Sequence, residues 1–259
     1  MHDLAVRNAR VIDGSGSPEF IGDIAVSSGV ITDVGQVDGT ARQEIDADGR
    51  LLTPGWVDIH THYDGQATWD PEMTPSSWHG VTTAVFGNCG VGFAPVRSGR
   101  EDFLINLMEG VEDIPGSVLA EGIDFSWQSY PEYLDVLGSM QRVMDVGSQI
   151  PHGALRFYVM GERGADHNET PNAEELILME QLVIEAFAAG ALGFTTSRTT
   201  KHKAADGRLT PSLSAGDPEL AAIANAMKAA KAGVLQVNSD FGDGEFEILR
   251  QAARRSGRP

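Results

Sequence analysis

The sequence predicts an α/β protein with a parallel sheet, preceded by a smaller segment that consists of strands. From residue 51 onward, short apolar strands alternate with amphipathic helices, which is typical of parallel βα units. Before that point, residues 4–50 contain β-branched runs and turn residues without a helical period. A segment of that length does not easily bury a two-sided core, so we expect it to belong to a sheet that other strands complete.

The composition is that of a globular protein, with 41% hydrophobic and 22% charged residues among 259. The formal net charge is −18, and a surface this acidic repels nucleic-acid phosphate and anionic lipid, so we expect neither as a partner. With one cysteine, Cys89, there is no intrachain disulfide, and the first residues lack the pattern of a secretory signal. We therefore expect a cytoplasmic protein that binds a small molecule; the oligomeric state stays open.

The elements follow from local patterns. In the N-terminal segment, residues 4–7 and 10–12 form two strands, and residues 24–34 form a hairpin around Gly29. Residues 97–150 interrupt the later strand–helix alternation and are interpreted as an insertion. The alternating strands are expected at residues 52–59, 81–86, 155–160, 192–196 and 234–237. Helices are expected after Thr170 and Asp217, each an N-cap followed by proline, and again at residues 245–254.

We divide the chain into residues 1–53 and 54–259. A closed (β/α) barrel needs about eight units, whereas the pattern shows five strands of this kind. The sheet is therefore either open, or the chain is the front part of a longer protein.

The strongest chemical motif is a pair of histidines at the end of a predicted strand, in Val-Asp-Ile-His-Thr-His at residues 57–62. Residues i and i+2 of a strand face the same side, so His60 and His62 point together. Two imidazoles on one face can bind a divalent metal, and the alternative is two surface or core histidines. Cys89 lies between glycines just past the next strand, where a thiolate could join the metal site.

Several other polar residues can be interpreted from their positions in the sequence. Arg198 follows the fourth strand and could bind a substrate carboxylate, with a solvated loop arginine as the equal alternative. His152 is interpreted as a capping or core histidine, and His202, between two lysines, as an exposed one. The acidic residues 109–113 are interpreted as a solvated face.

The chain resembles the amidohydrolase superfamily, in the branch of N-acyl-D-amino-acid deacylases (D-aminoacylase-like). The segment Gly-Asn-Cys-Gly at residues 87–90 is specific to that branch. The other motifs of the resemblance are residues 8–16, residues 52–64 and residues 190–196. The resemblance implies a metal-dependent TIM barrel, here incomplete with about five βα strands, and a small N-terminal portion of a β-sandwich.

In that family zinc, as one or two ions, activates a water that attacks an amide. The resemblance assigns His60, His62 and Cys89 to the metal, and expects the general-base aspartate beyond Pro259. The family's fifth-strand histidine is missing, since residues 234–240 place Gln236 and Asn238 on one face instead. An amide is a poor zinc ligand, so we interpret Asn238 only as lining the site.

The expected function is hydrolysis of a linear amide, the deacylation of N-acyl-D-amino acids, by the full-length parent protein. The alternative enzyme is a cyclic-amide hydrolase of the dihydropyrimidinase or hydantoinase type. A third hypothesis is a non-catalytic fragment or decayed relative, which the missing histidine motivates.

Overall fold

The computed structural model describes all residues from Met1 to Pro259. The chain forms two compact units, Met1–Trp56 and Val57–Pro259, which are described in turn. None of its helices combines the length and the apolar character needed to cross a bilayer.

The N-terminal unit is a five-stranded sheet in the order β3-β2-β1-β4, with β5 also paired to β1. The predicted hairpin is confirmed, since β2 and β3 are antiparallel around Ser28 and Gly29, both with positive φ. The two strands predicted at its start form one, with a bulge at Asn8. The strands are β1 (His2–Val11), β2 (Phe20–Ser27), β3 (Val30–Gly35), β4 (Ala41–Asp46) and β5 (Leu51–Leu52).

This sheet buries few side chains. Its core cluster consists of Ala9, Val11 and Ala47, while Ile31 and Val34 are exposed. The small core agrees with the expectation that a segment of this length buries little apolar surface alone.

The second unit contains two three-stranded sheets, β6-β7-β8 and β9-β10-β11. The pairs β7–β8, β9–β10 and β10–β11 are parallel, as the strand–helix alternation predicts. Only Gln149 separates β8 from β9, so the two sheets follow each other along the chain. The strands are β6 (Trp56–Asp58), whose first residue is the last one of the N-terminal unit, β7 (Val81–Phe86), β8 (Asp145–Ser148), β9 (Ile150–Pro151), β10 (Gly193–Arg198) and β11 (Val234–Ser239).

Seven helices accompany these strands, and the unit has one large apolar core to which both sheets and most helices contribute. The helices are α1 (Glu101–Glu112), α2 (Gly116–Gly122), α3 (Tyr130–Ser139), α4 (His152–Met160), α5 (Ala173–Ala189), α6 (Asp217–Ala230) and α7 (Glu245–Ser256).

The strand predicted at residues 155–160 is wrong, because this segment belongs to helix α4. Its apolar run is buried on nearly all sides, and such a run has no period that distinguishes strand from helix. The strand expected at this place in the strand–helix alternation comes earlier in the chain, as β8 and β9, at the end of the segment interpreted as an insertion.

The N-cap of α5 is Asn172, not Thr170, and it forms a capping box with Glu175.

A buried polar cluster fixes α4 against α6. Glu219 of α6 accepts a hydrogen bond from Arg156 and lies 2.8 Å from His152 Nε2, and all three side chains are almost fully buried. His152 Nδ1 lies 2.8 Å from the Thr196 hydroxyl of β10. His152 is therefore the core histidine that the sequence predicts. Burial raises the pKa of Glu219, but His152 and Arg156 outweigh it, so the net pKa is lowered.

We expect Glu219→Gln to lower the free energy of unfolding by about 3–5 kcal/mol at pH 7, because it leaves Arg156 buried without its countercharge. Since the folded pKa of Glu219 is lowered, this stability is present above the unfolded pKa and is lost as the pH falls through the folded pKa. Urea denaturation of the wild-type protein and of Glu219→Gln, between pH 7 and pH 3, measures this difference in the free energy of unfolding. Glu185→Gln, on the exposed surface of α5, is the control and should change stability by less than about 0.5 kcal/mol.

Candidate metal centre

Three side chains converge beyond the ends of β6 and β7. One ligand atom each from His60, His62 and Cys89 lies within 4.8 Å of the others. His60 Nε2 is 3.3 Å from Cys89 Sγ. Two ligands of a tetrahedral zinc, with bonds of about 2.0 Å to nitrogen and 2.3 Å to sulfur, are separated by about 3.5 Å. The donor set and its spacing therefore fit a zinc ion.

A strained turn after β7 brings Cys89 to this place. Gly87, Cys89 and Gly90 all have positive φ, at 78°, 55° and 70°. A Cβ at Gly87 would lie 2.0 Å from the Gln149 carbonyl oxygen, and one at Gly90 would lie 2.8 Å from the Ser197 nitrogen. The backbone thus approaches Gln149, between β8 and β9, and Ser197 of β10 too closely to leave room for a Cβ at Gly87 or Gly90. A cysteine held in the left-handed region is uncommon and indicates a functional constraint.

Buried hydrogen bonds hold the turn in this conformation. Asn88 Nδ2 donates to the carbonyl oxygens of Thr61 and Val85, both at 2.9 Å, and its Oδ1 accepts from Gln149 Nε2 at 2.8 Å. The Gly90 backbone nitrogen donates to Thr195 Oγ1 at 3.0 Å. Asn88 therefore ties the loop of Cys89 to the segment between the two histidines.

Strand β11 adds two amides to the site. Gln236 Nε2 lies 3.0 Å from His60 Nδ1, and Asn238 Nδ2 lies 3.6 Å from Cys89 Sγ. Gln236 Oε1 and His62 Nδ1 are buried without a hydrogen-bond partner. Because the two ends of an amide can be exchanged, Gln236 can also accept the Nδ1–H of His60, which would leave Nε2 as the metal-binding nitrogen. The unpartnered Nδ1 of His62, which belongs to one of the three donors, is a second observation that fits a cation.

Glu112, at the end of α1, is a site residue that the sequence interpretation missed. Its Oε2 lies 3.2 Å from His62 Nε2, so the interpretation of this segment as a solvated face is wrong for Glu112. The helical spacing could have indicated it, because Leu104, Met108 and Glu112 are four residues apart and the first two are buried.

His202 is the second missed residue. It is half-buried rather than exposed, with Nδ1 at 2.9 Å from Ser197 Oγ and Nε2 at 3.3 Å from Asn238 Nδ2. Its position depends on the path of the loop after β10, for which the sequence offers no periodic pattern.

Burial sets the protonation of the site. It lowers the pKa of His62 to about 4, with smaller effects from His60 and His202, so this imidazole is neutral as a metal ligand must be. Burial and the nearby Glu112 raise the pKa of Cys89 to about 12. Burial, and to a smaller extent the negative charge of Asp113, raises the pKa of Glu112 to about 7.

Asp64 is fully enclosed beside these residues, and burial raises the pKa of its carboxyl to about 8. Its Oδ2 has no partner, while its backbone oxygen accepts a hydrogen bond of 2.7 Å from Tyr133.

Arg198 lies at the end of β10, but its guanidinium is engaged elsewhere. It pairs with Glu245 of α7 through Nε and Nη2 and donates to the Ala215 carbonyl oxygen. The structure does not bring it together with the predicted metal ligands, and its substrate contact stays a prediction.

Comparison with protein families gives a match to the model described as "Amidohydrolase family", over residues 43–259. The chain belongs to the amidohydrolase family. Among curated relatives, the chain is 31% identical over 195 residues to a D-aminoacylase of Alcaligenes xylosoxydans xylosoxydans, which covers 75% of this chain and 37% of that protein. It is 32% identical over 195 residues to an N-acyl-D-aspartate deacylase of the same organism, covering 75% of this chain and 36% of the relative.

Solved structures of this family agree in fold. A D-aminoacylase with a binuclear metal centre superimposes with a TM-score of 0.78 at 27% identity, covering 100% of this chain and 50% of the other. An N-acyl-D-glutamate deacylase from Bordetella bronchiseptica, complexed with zinc and a phosphonate inhibitor, gives a TM-score of 0.77 at 24% identity, covering 99% and 50%. The chain thus spans about half the length of these proteins and about a third of the curated relatives.

We expect Gly87→Ala to destabilise the protein by about 2–3 kcal/mol, because the added methyl group meets the Gln149 carbonyl at a positive φ. The control is Gly138→Ala on helix α3, where nothing lies within 4 Å of a Cβ. This control should be neutral or stabilising by up to about 1 kcal/mol. Chemical denaturation compares the two variants, and equal stability would show that the turn tolerates a side chain.

Proposed function

We propose that the full-length protein that contains this chain is a metal-dependent hydrolase that removes the acyl group from N-acyl-D-amino acids. The single observation that supports it most is the convergence of His60, His62 and Cys89. The similarity to a D-aminoacylase and to N-acyl-D-aspartate and N-acyl-D-glutamate deacylases, at 28–32% identity, supports a linear amide as the substrate.

We further propose that the parallel strands of the second unit belong to a (β/α) barrel and that the N-terminal sheet is part of a β-sandwich. The parallel registers of β7–β8 and β10–β11 support the barrel. In such barrels the catalytic groups collect at the carboxyl ends of the strands, where the histidines and Cys89 lie.

His60, His62 and Cys89 would hold one or two zinc ions, which when bound would lower the pKa of a water and polarise the amide carbonyl. His60 and His62 would bind as neutral imidazoles, and Cys89 would release its thiol proton. Gln236 would orient His60 through Nδ1. The turn that Asn88 fixes would keep the sulfur at its distance from His60.

The proposal also covers Asn238, Arg198 and the general base. Asn238 would line the site beside Cys89. Arg198 would bind a substrate carboxylate only by giving up its bonds to Glu245. We assign no general base among these residues, and the family resemblance gives that role to an aspartate near the last barrel strand.

The first test measures metal in the full-length protein. We expect His60→Ala to reduce zinc content, measured by elemental mass spectrometry after dialysis against a weak chelator, by at least about tenfold. The reason is that this ring supplies one of three converging donors. His79→Ala, an exposed histidine away from the site, is the control and should keep the wild-type stoichiometry. Unchanged zinc in His60→Ala would refute the assignment.

The second measurement of this test uses substrate classes. The zinc-loaded full-length protein should hydrolyse N-acetyl-D-amino acids faster than their L-enantiomers and faster than hydantoin or dihydrouracil. Faster turnover of the cyclic amides would favour the cyclic-amide alternative. Zinc binding without turnover of any of these amides would favour a decayed relative that retains only its metal site.

A further inference from the structure

We propose that His202 is a metal ligand, and that it supplies the imidazole that strand β11 lacks. This inference rests on the proposed metal-dependent function and names an additional residue of its centre. Where the family carries a histidine on its fifth strand, this chain has the amides Gln236 and Asn238. An amide is a weak zinc ligand beside imidazole and thiolate. A histidine that approaches from a neighbouring loop can restore the missing donor.

The geometry places His202 against that amide. The Asn238 amide lies 3.3 Å from His202 Nε2 and 3.6 Å from Cys89 Sγ. Asn238 therefore contacts both groups, and His202 lies one amide away from the cluster of His60, His62 and Cys89. An ion bound by both His202 and Cys89 would take the place of the Asn238 amide, which would have to rotate away from both.

The other ring nitrogen of His202, Nδ1, is hydrogen-bonded to a serine of β10. Its Nδ1 lies 2.9 Å from the hydroxyl of Ser197, which is completely buried in β10. Metal-binding histidines generally donate their other N–H to such a partner, which fixes the ring and its tautomer. With Nδ1 donating to Ser197, the lone pair of Nε2 points towards Asn238 and the site.

The same site already contains donors on its other side. His60 Nε2 lies 3.3 Å from the sulfur of Cys89, which also has the Asn238 amide at 3.6 Å. The sulfur of Cys89 thus contacts both His60 and the amide that His202 contacts. A sulfur in this position can bind one ion with both histidines near it or bridge two ions.

The chain offers a closely matched control. His167 is also half-buried, and its Nδ1 also lies 2.9 Å from a serine hydroxyl, that of Ser214. Its hydrogen-bond partners are Ser214 and Asn168, and neither is a predicted metal ligand. Removing His167 therefore reproduces the loss of a half-buried, serine-bound imidazole without the loss of a ligand.

The test uses the full-length protein loaded with zinc, and two readouts that do not depend on activity. Competition with a chromophoric chelator gives the zinc affinity, and X-ray absorption at the zinc edge counts the imidazoles around the ion. We expect His202→Ala to weaken the affinity by more than about 100-fold and to lower the imidazole count by one. His167→Ala should change neither. Should His202→Ala fail to fold by circular dichroism, His202→Gln has the same expected results.

A second variant tests the relocation itself. Asn238→His returns an imidazole to β11, and in the His202→Ala background it should recover at least about tenfold in affinity together with the lost imidazole. An unchanged imidazole count in folded His202→Ala overturns the proposal, even if the affinity falls, because His202 would then act only through Asn238. If the wild-type protein binds no zinc, the proposed function fails; if it binds zinc with equal affinity in His202→Ala, only this inference fails.

Discussion

The approach of the Cys89 sulfur to the His60 ring is the contact on which the site depends. The two residues come from different strands, and neither side chain can reach the other unless the loop after β7 turns inward. That turn has positive φ at three positions and leaves no room for a Cβ at Gly87 or Gly90. The left-handed conformation of Cys89 costs about 1–3 kcal/mol, which the buried bonds of Asn88 and Thr195 offset.

The protonation of the site follows from its burial and not from the net charge of the chain. His62 is kept neutral, while the pKa values of Cys89 and Glu112 are raised, in each case mainly by burial. A divalent cation would invert this balance, since it stabilises the thiolate and the carboxylate. Metal binding would therefore release protons, and the affinity would rise with pH over the range in which these groups titrate.

Sequence patterns predicted those parts of the site that depend on local geometry. The two histidine rings lie close together, with centroids 5.5 Å apart, although β6 ends at Asp58 and the strand period used for the prediction does not extend to them. The glycines around Cys89 indicate a backbone that bends sharply, as the positive φ values show. The fold class and the strand at residues 81–86 follow from the same kind of pattern. Each of these predictions uses residues that are neighbours in the chain.

The residues that were missed approach the site through tertiary packing. Glu112 reaches His62 because of how α1 packs, and His202 reaches Asn238 because of the path of a loop. Likewise, residues 155–160 of α4 were predicted as a strand because an almost entirely buried helix shows no polar face.

The amides of β11 argue against the hypothesis that the missing fifth-strand histidine reflects a decayed site. A site that has lost a ligand by decay would be expected to lose the close packing around the gap as well. Here Gln236 and Asn238 instead contact His60 and Cys89, the two donors that approach each other most closely. The hydrogen bond from Asn238 also lowers the pKa of the thiol, opposing part of the increase that burial causes. The amide that replaces the histidine thus favours the thiolate, which is the form of cysteine that binds a metal.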